Sequence, residues 1–254
     1  MLKRSRLAYE SASKTYNYLF ELYSYYLRLE SRWVTWYKYG RGSEAPVDPL
    51  RIIWVDPSEI NLMIDKSFFN EPDHVTEIKG GDWEKATEPV TEYDLYQAMK
   101  AVFENGHDWE ETDFYERVVD IIQGGQQKWG CSSVSEFDKR CARLNILYET
   151  IKKQGYKSQN EIGSGNPNDP IKNQRNYRYA PELSEVIVVI DQSGEFYFYD
   201  GRHRFIISKL LNIDRIPVRV KARHANWQIL REQYLYDDLR HEEHPDLQYI
   251  SNHK

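Results

Sequence analysis

The chain has 254 residues and 40% hydrophobic content, enough for one large domain or for one domain with a substantial helical insertion. A net charge of −6 argues against a generally basic, nucleic-acid-coating protein, because neutralising phosphates takes a surplus of Lys and Arg. An aromatic share of 14% argues against disorder over most of the length, and two cysteines (Cys131 and Cys141) are too few for a disulfide framework.

The first residues are basic, Lys3, Arg4 and Arg6, but no apolar run of about 7 to 15 residues follows as in a secretory signal. No stretch approaches the roughly 20 apolar residues of a membrane helix. The expectation is a cytoplasmic protein with no transmembrane segment.

Residues 2–38 carry apolar and aromatic side chains at spacings of three and four, which predicts a helix. Its end, Arg32-Trp33-Val34-Thr35-Trp36-Tyr37-Lys38-Tyr39, mixes aromatics with cations, and Gly40, Gly42 and Pro46 stop it. Such a face suits packing on the body, a partner, a membrane surface or RNA. Residues 51–55 read as a short strand followed by an Asp56-Pro57 turn, and residues 61–82 as loop. Three helices are predicted between 91 and 154, ending at Gly106, at Gly124-Gly125 and at Gly155, and residues 162–181 form a long polar loop. From Glu185 the period changes. Val186-Ile187-Val188-Val189-Ile190 is a buried strand, residues 191–194 a hairpin turn and residues 195–199 the return strand. A helix over 203–211 and a strand over 216–222 follow. The tail from Trp227 is charged and helical, fading after Pro245.

The segment Asp200-Gly201-Arg202-His203-Arg204 carries the chemistry. Gly201 permits a sharp turn and close approach of a ligand. The helix that starts there presents unpaired N–H groups and the positive end of its dipole. Arg202, His203 and Arg204 add donors, and a guanidinium matches phosphate oxygens in a two-pronged fork. The combination reads as a phosphate site at a helix start, with a solvated helix start as the plainer alternative.

The order of these segments resembles the ParB/sulfiredoxin superfamily. It comprises the helix ending in Lys152-Lys153-Gln154-Gly155, the Val-Ile-Val-Val-Ile strand and its hairpin, Tyr199-Asp200-Gly201-Arg202-His203-Arg204, a helix with Lys209-Leu210-Leu211, and Ile216-Pro217-Val218. Ile52-Ile53-Trp54-Val55-Asp56, with Pro57 and Ile60, looks like that fold's opening strand. The resemblance covers residues 50–60 and 140–223. It implies an α/β fold with a small mixed sheet over residues 46–226, carrying a helical insertion at 84–140. An N-terminal helical extension (1–45) and a charged C-terminal tail (227–254) flank it.

In the superfamily the turn grips the phosphates of CTP in chromosome-partitioning ParB proteins, and in sulfiredoxin it carries a cysteine that is absent here. In archaeal free-serine kinases it reads Asp-Gly-His-His-Arg, close to the turn here. The resemblance therefore implies a bound nucleotide (ATP, ADP or CTP) with Mg²⁺, and phosphate transfer to a small molecule or polymer acceptor. Asp200 is then a metal ligand or catalytic carboxylate, its alternative role being a helix cap. Gly201, Arg202, His203 and Arg204 hold phosphates, with Gln159 and Asn160 near the nucleotide or in a plain loop. The kinase-like members take a catalytic carboxylate from the neighbourhood of Asp82 and Glu84, without a residue-by-residue match. Arg140, Arg143, Arg223, His224 and Trp227 are further candidates for the cleft or for the surface. His241, Glu242, Glu243 and His244 resemble a metal cluster by composition but read better as a charged tail. The rival functions are a nucleotide-switched binding module without chemistry and a protein-interaction protein with an anion-binding turn. No helix-turn-helix follows the domain, so nucleic acid is possible but not favoured.

Overall fold

A β-branched run that is buried on both faces belongs in the middle of a sheet, and the chain is built around one. The structure is a computed structural model that describes residues 2–39, 45, 47–162, 180–236 and 244–251. Gly40, Gly42, Pro46, most of the 162–181 loop, and His241, Glu242 and Glu243 lie outside the described residues.

Helix α1 (Leu2–Tyr39) buries Ser24, Leu27, Ser31, Val34 and Thr35, spaced so that they share one face. Leu27 packs with Leu50, Ala180 and Leu183. Strand β1 (Ile52–Val55) leads into a tight turn in which the Asp56 carboxylate accepts from the Ser58 N–H at 2.7 Å. Residues 61–82, expected as loop, contain β2 (Leu62–Ile64) and β3 (Glu77–Lys79), and β4 (Thr87–Pro89) follows. Each has three residues, too few for an alternating pattern to show in the sequence.

The helical layer comprises α2 (Asp94–Asn105), α3 (Asp113–Gln123) and α4 (Val134–Gln154). The Thr112 and Ser133 hydroxyls cap α3 and α4 by accepting N–H groups of the first turn. After the short α5 (Gln159–Ile162) come β5 (Val186–Ile190), β6 (Phe196–Asp200), α6 (Arg202–Leu210) and β7 (Ile216–His224). Two more helices, α7 (Ala225–Tyr236) and α8 (Pro245–Ser251), close the described chain.

The strands form one mixed sheet in the order β1-β7-β5-β6-β2-β4, with β3 also pairing with β7. β5 lies between β6 (antiparallel) and β7 (parallel), and β2 runs parallel to β6. Val186, Val188 and Ile190 enter one core, while Ile187 and Val189 enter the core on the other face. Helix α6 joins sheet to helices: Phe205 stacks on Phe198 at 4.5 Å, and Ile206, Ile207 and Leu210 enter the core of α2–α4.

The alternate positions of β7 that read as basic are buried too. Lys221 Nζ donates to the carbonyls of Glu71, Pro72 and Val75, each at 3.0 Å, and lies 3.3 Å from Glu77. These bonds pin the irregular segment before β3 to the sheet. The C-terminal tail does not fade at Pro245. α8 begins there, with Asp246 and Leu247 almost fully buried.

Candidate functional site

The strand directions define two ends of the sheet. β2 and β6 are parallel neighbours in the register Leu62–Tyr197 and Met63–Phe198. Asp65 and Asp200 each stand two residues beyond the last of these pairs, so two carboxylates emerge at the same end of adjacent strands. In open α/β sheets the crevice beyond the carboxyl ends of parallel strands is where ligands bind. Here a cleft of about 500 Å³ occupies that position. Its walls are Ile64 at the end of β2 with Asp65 and Lys66 beyond it, Ala86 to Glu88 leading into β4, Tyr199 and Asp200 of β6, and Tyr93 with Arg202.

Local structure aims the polar groups. The Asp65 carboxylate accepts from the Ser67 N–H at 2.8 Å, and hydrogen bonds from the Ser67 backbone and side chain hold its pKa below the usual value. That turn carries Lys66, whose Nζ lies 3.0 Å from Asp200 Oδ1 and 5.1 Å from the centre of the Tyr199 ring. The pairing of β5 with β6 shifts register between Ile187 and Val188, opposite Asp200 and Phe198, so Tyr199 is the extra residue of a bulge. Gly201 has φ +93°, and a Cβ there would sit 2.9 Å from Val186 Cα. Only glycine fits, and it starts α6 without a side-chain cap of its own. Arg202 Nη1 donates to the Tyr93 hydroxyl at 2.9 Å, and its guanidinium lies 5.3 Å from the Trp129 ring.

The rest of the turn points elsewhere. His203 packs its ring 5.2 Å from Trp129, and its Nε2 is buried with no hydrogen-bond partner among the described residues. Burial first, then the charges of Arg140 and Arg202, push its pKa down to about 3. Arg204 is buried beneath the turn. Its Nη1 donates to Glu185 Oε2 at 3.0 Å, its Nη2 donates to the Lys157 carbonyl, and its guanidinium stacks 4.3 Å from the Tyr156 ring. Glu185 also accepts the Gln159 N–H, so Gln159 and Arg204 meet on one carboxylate rather than in the cleft. Burial pushes the Glu185 carboxyl up to about 7, against the opposing pull of Arg204 and the Gln159 N–H. Asn160 is exposed on α5.

Asp82 lies at the opposite end of the sheet from Asp200. β3 and β7 are parallel to β5 and antiparallel to β6, so their carboxyl ends face away from the cleft. Asp82 is exposed there and pairs with Lys85 at 2.6 Å. Glu84 lies 3.6 Å from His224, which also bonds the Gly81 carbonyl. Arg223 and Trp227 both reach the buried Asp246, and His244 bonds the Gly194 carbonyl at 2.9 Å. Arg140 stacks 5.4 Å from Trp129 and Arg143 is exposed. Of the residues singled out in the sequence, Asp200 and Arg202 line the cleft beside the Gly201 turn. Asp65, Lys66 and Tyr93 line it too, and the Asp65-Lys66-Ser67 turn was the signal that could have revealed the first two.

No protein-family model, curated protein or solved structure matches this chain.

Proposed function

We propose that the chain is a nucleotide-binding protein of the ParB/sulfiredoxin type that transfers phosphate from the nucleotide to a small-molecule or polymer acceptor. The observation that carries this reading is the pair Asp65 and Asp200. They stand at the carboxyl ends of adjacent parallel strands, in one cleft with Lys66, Arg202 and the N-terminus of α6. The cleft volume of about 500 Å³ is within the usual range for a small-molecule site.

Each group has a role that its chemistry suits. Arg202 offers a planar fork to phosphate oxygens while Tyr93 steadies it. The start of α6 offers N–H groups and dipole to the same anion. Lys66, paired with Asp200 in the same cleft, is the further cation for a phosphate oxygen. Asp65 and Asp200 suit Mg²⁺, which takes one or two carboxylates together with phosphate oxygens and water. No group of three or more metal-binding side chains occurs among the described residues, so such a site needs the substrate's oxygens to be complete. Mg²⁺ would supply neutralisation of the phosphate charge. In the transfer, one carboxylate accepts the proton of the acceptor hydroxyl. The new O–P bond forms as the bond between phosphorus and the departing nucleoside phosphate breaks.

Calorimetric titration with ATP, ADP and CTP, each with and without Mg²⁺, tests the reading. One nucleotide should bind saturably and more tightly with Mg²⁺, and Arg202→Ala should weaken it at least tenfold. Absence of binding by all three, or undiminished binding by Arg202→Ala, rules the reading out. Binding without turnover favours the second reading, a nucleotide-switched module, which the neutralisation of Asp200 by Lys66 also suits.

A further inference from the structure

Helix α1 is two-faced in an unusual sense: its outward face is the more apolar one. The face on the body consists of Ser24, Leu27, Ser31, Val34 and Thr35. The opposite face carries Tyr18, Leu22, Tyr25, Leu29 and Trp33, at spacings of four, three, four and four residues, which keeps them in one row. All are exposed, Tyr25 by 62% and Trp33 by 60%. The row extends to Tyr37, whose ring stacks on Trp33 at 5.4 Å. Contiguous apolar surface on this scale marks an interaction site.

We propose that this face docks peripherally on an anionic lipid surface. Three observations select that occupant. First, α1 holds a surplus of positive charge in a chain whose net charge is −6: Lys3, Arg4, Arg6 and Lys14 outnumber Glu10 before the row, and within the row Arg28 and Arg32 balance Glu21 and Glu30. Arg32 is exposed beside Trp33. Second, the row combines Leu with Tyr and Trp, whose rings have a polar edge or hydroxyl and favour the boundary between headgroups and acyl chains. No helix among the described residues is long and apolar enough to cross a membrane, so the contact lies in the interface plane. Third, the spacing disfavours a second copy of the helix. A coiled-coil seam continuing 18, 22, 25, 29 would next need apolar side chains at 32 and 36; Trp36 supplies the second, but Arg32 puts a charge at the first. Single-stranded RNA would use the aromatics and cations but gain little from Leu22 and Leu29.

Flotation of the whole chain with vesicles tests the proposal, comparing phosphatidylcholine alone with phosphatidylcholine mixed with phosphatidylglycerol. The wild type should float with the mixed vesicles, less so as salt rises, and poorly with phosphatidylcholine alone. The double variant Leu29→Ser/Trp33→Ser removes exposed side chains, so it should keep its circular dichroism and melting temperature while losing at least tenfold in partitioning. Absence of flotation, or equal flotation by the variant, overturns the proposal. So does a concentration-dependent dimer of the wild type that the variant abolishes, or capture of single-stranded RNA in preference to vesicles.

Discussion

At the scale of the residue, Gly201 and His203 show how one turn serves two ends. Gly201 is fixed by space: its φ is +93° and any side chain would meet the backbone of β5 at Val186. Gly201→Ala should therefore cost about 1–3 kcal/mol in urea denaturation and weaken the proposed nucleotide binding by shifting the start of α6. His203 is fixed by burial. Its folded pKa of about 3 lies below its ordinary value of 6.5, so the neutral ring stabilises the fold above pH 6.5. That contribution is lost as pH falls from 6.5 towards 3, and over this window it amounts to on the order of 4 kcal/mol. Replacing His203 with Phe keeps the ring against Trp129 and should flatten the acid limb of the stability–pH curve. An unchanged limb in that variant would show that His203 does not drive the loss.

At the scale of the element, the C-terminal helix is held by charge. Burial alone would raise the Asp246 pKa, but Arg223 and Arg231 outweigh it and hold the carboxyl well below the usual range. Arg223 Nη2 donates to Oδ1 at 2.6 Å, and the Trp227 indole N–H donates to Oδ2 at 3.0 Å. Asp246→Asn leaves two buried guanidinium groups facing a neutral amide, a change of about 3–5 kcal/mol. Hydrogen exchange should then rise in α8 and α7 before it rises in β5, and uniform exchange would contradict the latch. The same contrast explains what was legible in the sequence. Strands β5, β6 and β7 were readable because four or more residues of clear period announced them, and helices α2 to α4 because caps and stops framed them. β2, β3 and β4 have three residues each and borrow their hydrogen bonds from distant strands, so no local pattern reveals them. The tail was misread because Asp246 looks like surface charge until β7 and α7 supply its arginines.

At the scale of the whole molecule, the turn over Asp200-Gly201-Arg202, which borders the cleft, stood out in the sequence, but the cleft's opposite wall did not. The cleft takes shape because β2, separated from β6 by some 130 residues of chain, pairs beside it and sets Asp65 next to Asp200. No spacing in the sequence encodes that proximity. The same strand directions put Asp82 at the far end of the sheet, away from Asp200, although both are carboxylates beside glycines. Helix α6 ties the two layers together through Phe205 on the sheet side and Ile206 on the helical side, so a displacement of its start reaches both cores. The proposed function requires Asp65 and Asp200 to act as a pair. The direct test is the affinity for the best-binding nucleotide, by calorimetry with and without Mg²⁺, in the wild type and in Asp65→Asn. Mg²⁺ should tighten binding in the wild type at least tenfold and have little effect in the variant. An equal Mg²⁺ effect in both proteins would contradict that pairing.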